Sequence, residues 1–185
     1  MTLSRLADAK ALRDIFNSTD TASLWAAFLS ISPTPVSSSC HLEAEFNRFF
    51  VGPQAPLVPP YASLYLENSG LIMSKTTQHV KELYTLFGLK NPKDGQLPDD
   101  FLGFELDAYY QLLYIEIHSN ILYLKSLRCY FLQEHMAQWM LPFVEAAKQH
   151  APSPDMLQIL DVLHRFIDTE LSIQGENHAY SHITC

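Results

Sequence analysis

Three groups of side chains in this 185-residue chain have the types and spacing for chemistry. The first is Leu97-Pro98-Asp99-Asp100-Phe101. Paired aspartates behind a proline are helix-start chemistry, because carboxylates there accept otherwise unpaired N–H groups and oppose the positive end of the helix dipole. On a helix beginning near Asp99, Asp100 and Asp107 share one face with Gly103 between them, which offers a cationic partner charge and room. As a catalytic pair they lack an apolar pocket to raise one pKa and a nucleophile nearby. The second group is His178, His182 and Cys185, spaced H-x3-H-x2-C, a donor set suited to zinc. No fourth ligand accompanies it, and a polar tail is the plainer reading of a chain end. The third is His135, Trp139 and Phe143 at i, i+4 and i+8, read as a core stripe with one hydrogen-bonded histidine. GxxxxGK[ST], GxGxxG, HExxH and GxSxG do not occur, and six glycines leave little for a phosphate-cradling loop.

A different kind of chemistry is suggested by residues 46–67, FNRFFVGPQAPLVPPYASLYLE. Four of the eleven prolines and five aromatics fall in it, and its only charges are Arg48 and Glu67. Leu42, Phe46, Phe49 and Phe50 make a one-sided helical stripe that Gly52 and Pro53 end, with Gly52 expected as a left-handed cap. The stretch therefore leaves a helix and continues as a stiff apolar loop through Pro59, Pro60 and Tyr61. Part of the phenylalanine stripe belongs to a core.

The elements that must hold these residues read as helices. An opening helix carries Leu3, Leu6, Ala7, Leu12, Ile15 and Phe16 and stops at Asn17–Asp20, and TASLWAAFL follows as a short second one. After the loop at 32–39 comes the Phe46 helix. Ser74 caps a helix bearing Val80, Leu83, Tyr84 and Phe87, with Gly88 as its stop. A long helix is expected from near Asp99 to about YLKSL at 123–127. Another carries Phe131 to Phe143, with Pro142 expected to kink or divide it, and the last has Ser153 as N-cap and Pro154 at its first position. Strand-period alternation is almost absent. The fold class is all-α, a single-domain helical bundle over residues 1–185 with long proline-rich loops.

Composition narrows the function. Hydrophobic residues make up 48% of the chain, enough for a substantial core, and 20 acidic against 12 basic residues give a net charge of -8, the wrong sign for a phosphate-backbone binder. Six acids and no Lys or Arg lie between Asp94 and Tyr123. No apolar run is long enough to span a membrane, the first residues lack a signal-peptide core, and Cys40, Cys129 and Cys185 form no paired motif. A cytoplasmic location is expected.

Residues 46–67, LPDDFLGFELD and FLQEHMAQWMLPF, in that order, resemble the three signature regions of the TorD/DmsD family of redox enzyme maturation chaperones, over roughly residues 42–171. The resemblance implies a non-enzymatic, TorD-like helical protein that binds the twin-arginine signal peptide of a molybdenum-containing oxidoreductase. It would guard that enzyme until its cofactor is inserted. The family's aromatic helix end matches Phe46, Phe49, Phe50 and Gly52, and its Pro-Pro-aromatic loop matches Pro59, Pro60 and Tyr61. Its Glu-Pro-x-Asp-His motif matches Leu97, Pro98, Asp99, Asp100 and Phe101, keeping the proline and second aspartate and losing the glutamate and histidine. On this resemblance Phe46, Phe49, Phe50, Pro59, Pro60, Tyr61, Pro98, Asp99, Asp100 and Phe101 are the signal-peptide-binding residues. The 46–67 stretch would be one wall of a groove and LPDDFLG the acidic wall opposite. The resemblance implies no permanently bound cofactor, allows transient contact with the molybdenum cofactor or a guanine nucleotide, and allows monomers or domain-swapped dimers. Two other readings are a chaperone for a client without a signal peptide, of the nitrate reductase assembly type, and a metal-binding protein using His178, His182 and Cys185.

Overall fold

Helix α1, Thr2–Phe16, opens the computed structural model, which describes the backbone of residues 2–91, 95–119 and 121–181 and the side chains of residues 4–91, 95–119, 121 and 123–174. Leu12, Ile15 and Phe16 are buried, and α1 ends where the Asn17 amide donates back to the Arg13 carbonyl at 3.0 Å. Asp20 then caps α2, Thr21–Leu29, by accepting the Ser23 N–H at 2.8 Å. The loop that follows is tied down by Asp155, whose carboxylate accepts the Val36 and Ser37 N–H groups.

Helix α3, Ser39–Phe46, runs directly into a π-helical turn, Asn47–Val51. Gly52 closes that turn with its N–H on the Asn47 carbonyl at 2.8 Å. The expected left-handed cap is corrected here: Gly52 has φ 122 and ψ -169, a region almost confined to glycine, and a Cβ there would stand 2.9 Å from the Gln54 carbonyl oxygen. The widened turn buries Phe46, Phe49 and Phe50 together. After the proline loop come α4, Ser63–Leu66, and α5, Lys75–Phe87, which has a capping box at Ser74 and a left-handed Gly88 as its stop.

Helix α6 is Leu102–Ser119, so it begins three residues after Asp99 and ends before YLKSL. Its start is displaced because the preceding backbone is used elsewhere. Phe101 makes an isolated antiparallel bridge to Tyr61, with Ala62 N–H on the Asp100 carbonyl at 3.0 Å and Leu102 N–H on the Pro60 carbonyl at 2.9 Å. Its end is set by the extended Ile121, φ -86 and ψ 102, after which α7, Leu122–Phe131, takes up residues 123–127. A π-helical turn, Leu132–Met136, and α8, Ala137–Lys148, continue α7 without a break. Pro142 lies inside α8 and does not divide it. The irregularity falls earlier, at the π turn. Helix α9, Pro154–Ser181, starts with the Ser153 hydroxyl accepting the Met156 N–H. Among the described residues there is no strand.

One cluster of buried apolar side chains joins the helices, with Leu12, Phe28, Phe49, Tyr109, Trp139, Phe143 and Ile167 inside it. Helix α1 packs chiefly on α6, and α8 on α9. Within this core Glu170 of α9 takes Arg5 of α1 bidentately, the Tyr109 hydroxyl of α6, and Arg128 of α7.

Candidate functional site

The Tyr61 part of the 46–67 stretch and the LPDDF segment are paired directly, through an antiparallel bridge. The bridge between Tyr61 and Phe101 brings their rings to 5.7 Å, tilted at 48°, and Phe101 also meets Phe104 edge-on at 5.1 Å. The acids of this segment point inward. Asp100 is fully buried and accepts the Ser63 N–H and the Thr77 hydroxyl, each at 2.8 Å, so it fastens α4 and α5 to the start of α6. Asp99 is nearly buried and accepts the Asn91 amide at 2.9 Å, while its carbonyl takes the Tyr84 hydroxyl. The helix face proposed for Asp100 and Asp107 does not form, because Asp100 precedes α6 and Asp107 faces Gln111 and Arg13. Gly103 does not offer room to a partner either. A Cβ there would lie 2.6 Å from the Phe101 ring and 2.8 Å from Asn17 Oδ1, and its carbonyl already accepts the Asn17 amide.

What the two segments do expose is one part of a cleft of about 390 Å³. Pro60, Tyr61, Leu97 and Phe101 line it from the paired loops. Phe46, Asn47, Phe50 and Val51 line it from α3 and its π turn, and Phe16 to Asp20, Leu24 and Glu43 from α1, the α1–α2 turn, α2 and α3. The α1–α2 turn, Leu24 and Glu43 complete the lining, and these were not singled out from the sequence. Phe49 and Pro59 are absent from the lining: Phe49 is fully buried, and the Pro59 carbonyl holds the Tyr65 hydroxyl. Pro98 and Asp99 do not line it either.

The cleft's carboxylates are Asp20 and Glu43, and among its described lining residues none is Lys, Arg or His. Asp20 is exposed, and the Ser23 N–H holds its pKa below the ordinary carboxylate range, so it is ionised at neutral pH. Glu43 accepts the Thr21 hydroxyl, which fixes it to the same first turn of α2. Tyr61 is half-buried, and burial, then the Asp100 charge, pushes its phenol pKa up, so it stays a neutral donor. The arrangement provides apolar area with anionic hydrogen-bond acceptors at its edge.

Two other groups singled out from sequence stand apart. His135 Nε2 lies 2.8 Å from Glu105 Oε1, and Trp139 donates its indole N–H to Glu105 Oε2 at 2.9 Å, deep between α6 and the α7–α8 run. Burial raises the Glu105 pKa, and although burial lowers that of His135, the facing Glu105 charge outweighs it and the net shift is upward. His182 and Cys185 lie outside the described residues, as does the His178 side chain. Among the described residues no group of three or more His, Cys, Asp or Glu could hold a metal ion, and no helix is long and apolar enough to cross a membrane.

Comparison with known proteins gives one consistent direction. Residues 17–145 match the family described as nitrate reductase delta subunit. The chain is 28% identical over 131 residues to a chaperone protein TorD of Vibrio parahaemolyticus, covering 68% of this chain and 60% of that one. It is 26% identical over 150 residues to a chaperone protein TorD of Psychrobacter, covering 77% and 65%. A chaperone protein TorD of Aliivibrio fischeri is 35% identical over 66 residues, covering 36% and 31%. In these matches the chain spans between about a third and two thirds of the relatives' own length.

Proposed function

The chain belongs to the TorD/DmsD family, matched here through the nitrate reductase delta subunit family, and on that premise we propose that it is a cytoplasmic, non-enzymatic chaperone. Its client in this reading is a molybdenum-containing oxidoreductase, held through its twin-arginine signal peptide while it matures for export. The observation that carries the reading is the cleft, which joins the aromatic rings of Phe46, Phe50, Tyr61 and Phe101 to two carboxylates, with no Lys, Arg or His among its described lining residues. A twin-arginine signal peptide has the complementary form, two adjacent cations followed by an apolar run. Aromatic walls supply buried area for that run and the carboxylates favour guanidinium groups, the two components of an apolar groove reading a charged peptide. Pro59 and Pro60 lower the conformational entropy lost when the wall closes on a ligand.

Isothermal calorimetry tests this with a synthetic peptide carrying adjacent arginines before an apolar segment and the same peptide with both arginines replaced by alanine. Tighter binding of the first supports the reading; equal or absent binding of both overturns it. The family description favours a second reading, a client of nitrate reductase type recognised without a signal peptide. A pull-down from anaerobically grown cells, with the retained protein identified by mass spectrometry, separates the two. Two carboxylates and, among the described lining residues, no Lys, Arg or His make the cleft a poor match for the phosphate groups of a molybdenum cofactor or a guanine nucleotide.

A further inference from the structure

We propose that Asp20 and Glu43 are the residues that discriminate arginine in the bound peptide, and that the Asp99–Asp100 pair is not; the assignment rests on the signal-peptide reading above. Four observations carry it. The carboxylates of the acidic motif are occupied inside the protein, Asp100 by Ser63 and Thr77 and Asp99 by Asn91. Glu105 is buried against His135 and Trp139. Asp107 and Asp14 on the neighbouring helices sit beside Arg13, and Asp14 also pairs with Lys10, so cations of the chain itself already compensate them. Asp20 and Glu43 alone among these acids line the cleft, next to Phe16, Leu24 and Phe46.

Their geometry suits guanidinium. Each is held by the first turn of α2, Asp20 through Oδ1 on the Ser23 N–H and Glu43 through Oε2 on the Thr21 hydroxyl. A carboxylate offers about four lone-pair positions, so Glu43 keeps capacity for a further donor beside Thr21, while Asp20, which Ser23, Ala22 and Thr19 already serve, contributes chiefly its exposed charge. Because the side chains are positioned before a ligand arrives, little of their rotamer entropy is lost on binding. Arginine, with a planar fork of donors, gains more from two fixed carboxylates than lysine, a point charge. The residues also supply their charge at the edge of apolar surface, so a peptide whose arginines precede its apolar run satisfies both parts at once.

The test is calorimetry on the full chain with three synthetic peptides, Arg-Arg, Lys-Lys and Ala-Ala, each followed by the same apolar segment. Asp20→Asn keeps an efficient N-cap and Glu43→Gln keeps an acceptor for Thr21, so both variants remove charge with little change in shape. Each is expected to weaken Arg-Arg binding about five-fold, and the two together about 25-fold, the ratio given by roughly 1 kcal/mol per rim ion pair at about 1.4 kcal/mol per decade. Binding of the Ala-Ala peptide is expected to stay unchanged in both variants, which a merely structural role would not produce. Glu145→Gln, which removes the same charge from the exposed surface of α8 outside the cleft, is expected to leave the Arg-Arg preference intact. If both variants keep the wild-type preference for Arg-Arg over Ala-Ala, the assignment of Asp20 and Glu43 is overturned while the signal-peptide reading stands. If the wild-type chain binds all three peptides alike or not at all, that reading fails and this assignment with it.

Discussion

At Asp100 an aspartate that looks like a partner's ligand is an internal fastener. With no exposed surface, it accepts one backbone N–H from α4 and one hydroxyl from α5. Asp100→Ala leaves both donors buried without an acceptor, and at about 1–3 kcal/mol for each stranded group the expected loss is roughly 2–6 kcal/mol. Urea unfolding checks it: the midpoint should fall with the slope unchanged, whereas an unaltered midpoint would mean these bonds contribute nothing net. Gly103→Ala acts on the same junction by sterics, since the new methyl would meet the Phe101 ring and Asn17 at under 3.0 Å, and overpacking of this kind costs about 1–3 kcal/mol. Because Phe101 lines the cleft, that variant is also expected to weaken apolar peptide binding, read by calorimetry on the folded fraction. The sequence showed the residue types at 97–103 but not their burial. A proline followed by two aspartates reads the same whether the carboxylates meet water or the N–H groups of another segment. Asp20 was equally visible as part of a helix stop, and nothing local marks it as facing Phe46 and Glu43.

Between elements, the Glu105–His135 contact makes the attachment of α6 to the α7–α8 run depend on pH. Both groups have folded pKa values above their ordinary ones, 4.5 for Glu105 and 6.5 for His135. A raised folded pKa means the folded state holds its proton more tightly. The stability that each contributes is therefore complete below its unfolded pKa and lost as pH rises through the folded value. For His135 that window opens at about 6.5 and extends upward, with Asp100 adding to the upward shift. The thermal midpoint is expected to decline as pH rises above about 6.5, and His135→Gln, which keeps a side-chain donor without the titration, should flatten the decline. An identical slope in both proteins would assign the dependence to other groups. Helix assignment from sequence succeeded where the signals were local: Asp20, Ser74, Gly88 and Ser153 mark ends that appear where capping chemistry puts them. It failed at α6, whose start is decided by the bridge between Phe101 and Tyr61, forty residues earlier in the chain. The π turns were not legible either, since they keep an apolar stripe while shifting its register.

Across the molecule, the first and last helices are joined through one buried carboxylate. Glu170 accepts Arg5 from α1, Tyr109 from α6 and Arg128 from α7, with Arg128 also reaching Glu116 at 2.6 Å. The helical class and the aromatic walls could be read from periodicity and the family resemblance. This network could not, because its members lie up to 165 residues apart and each alone passes for a surface charge. The same separation hid the cleft, which joins residues near 20 and 43 to loops near 60 and 100. Removing one member of a buried ion cluster strands the others, so Glu170→Ala should cost about 3–5 kcal/mol, since Arg5, Arg128 and the Tyr109 hydroxyl lose a shared acceptor. For a chain of this size that is a fall of roughly 10 °C in thermal midpoint. None of the network residues lines the cleft, so peptide affinity measured well below the midpoint should match the wild type. Glu170→Gln, which keeps an acceptor oxygen without the charge, should fall between the two in stability. A parallel loss of peptide affinity in the still-folded Glu170→Gln protein would show instead that the cleft depends on how α1 is held against α9.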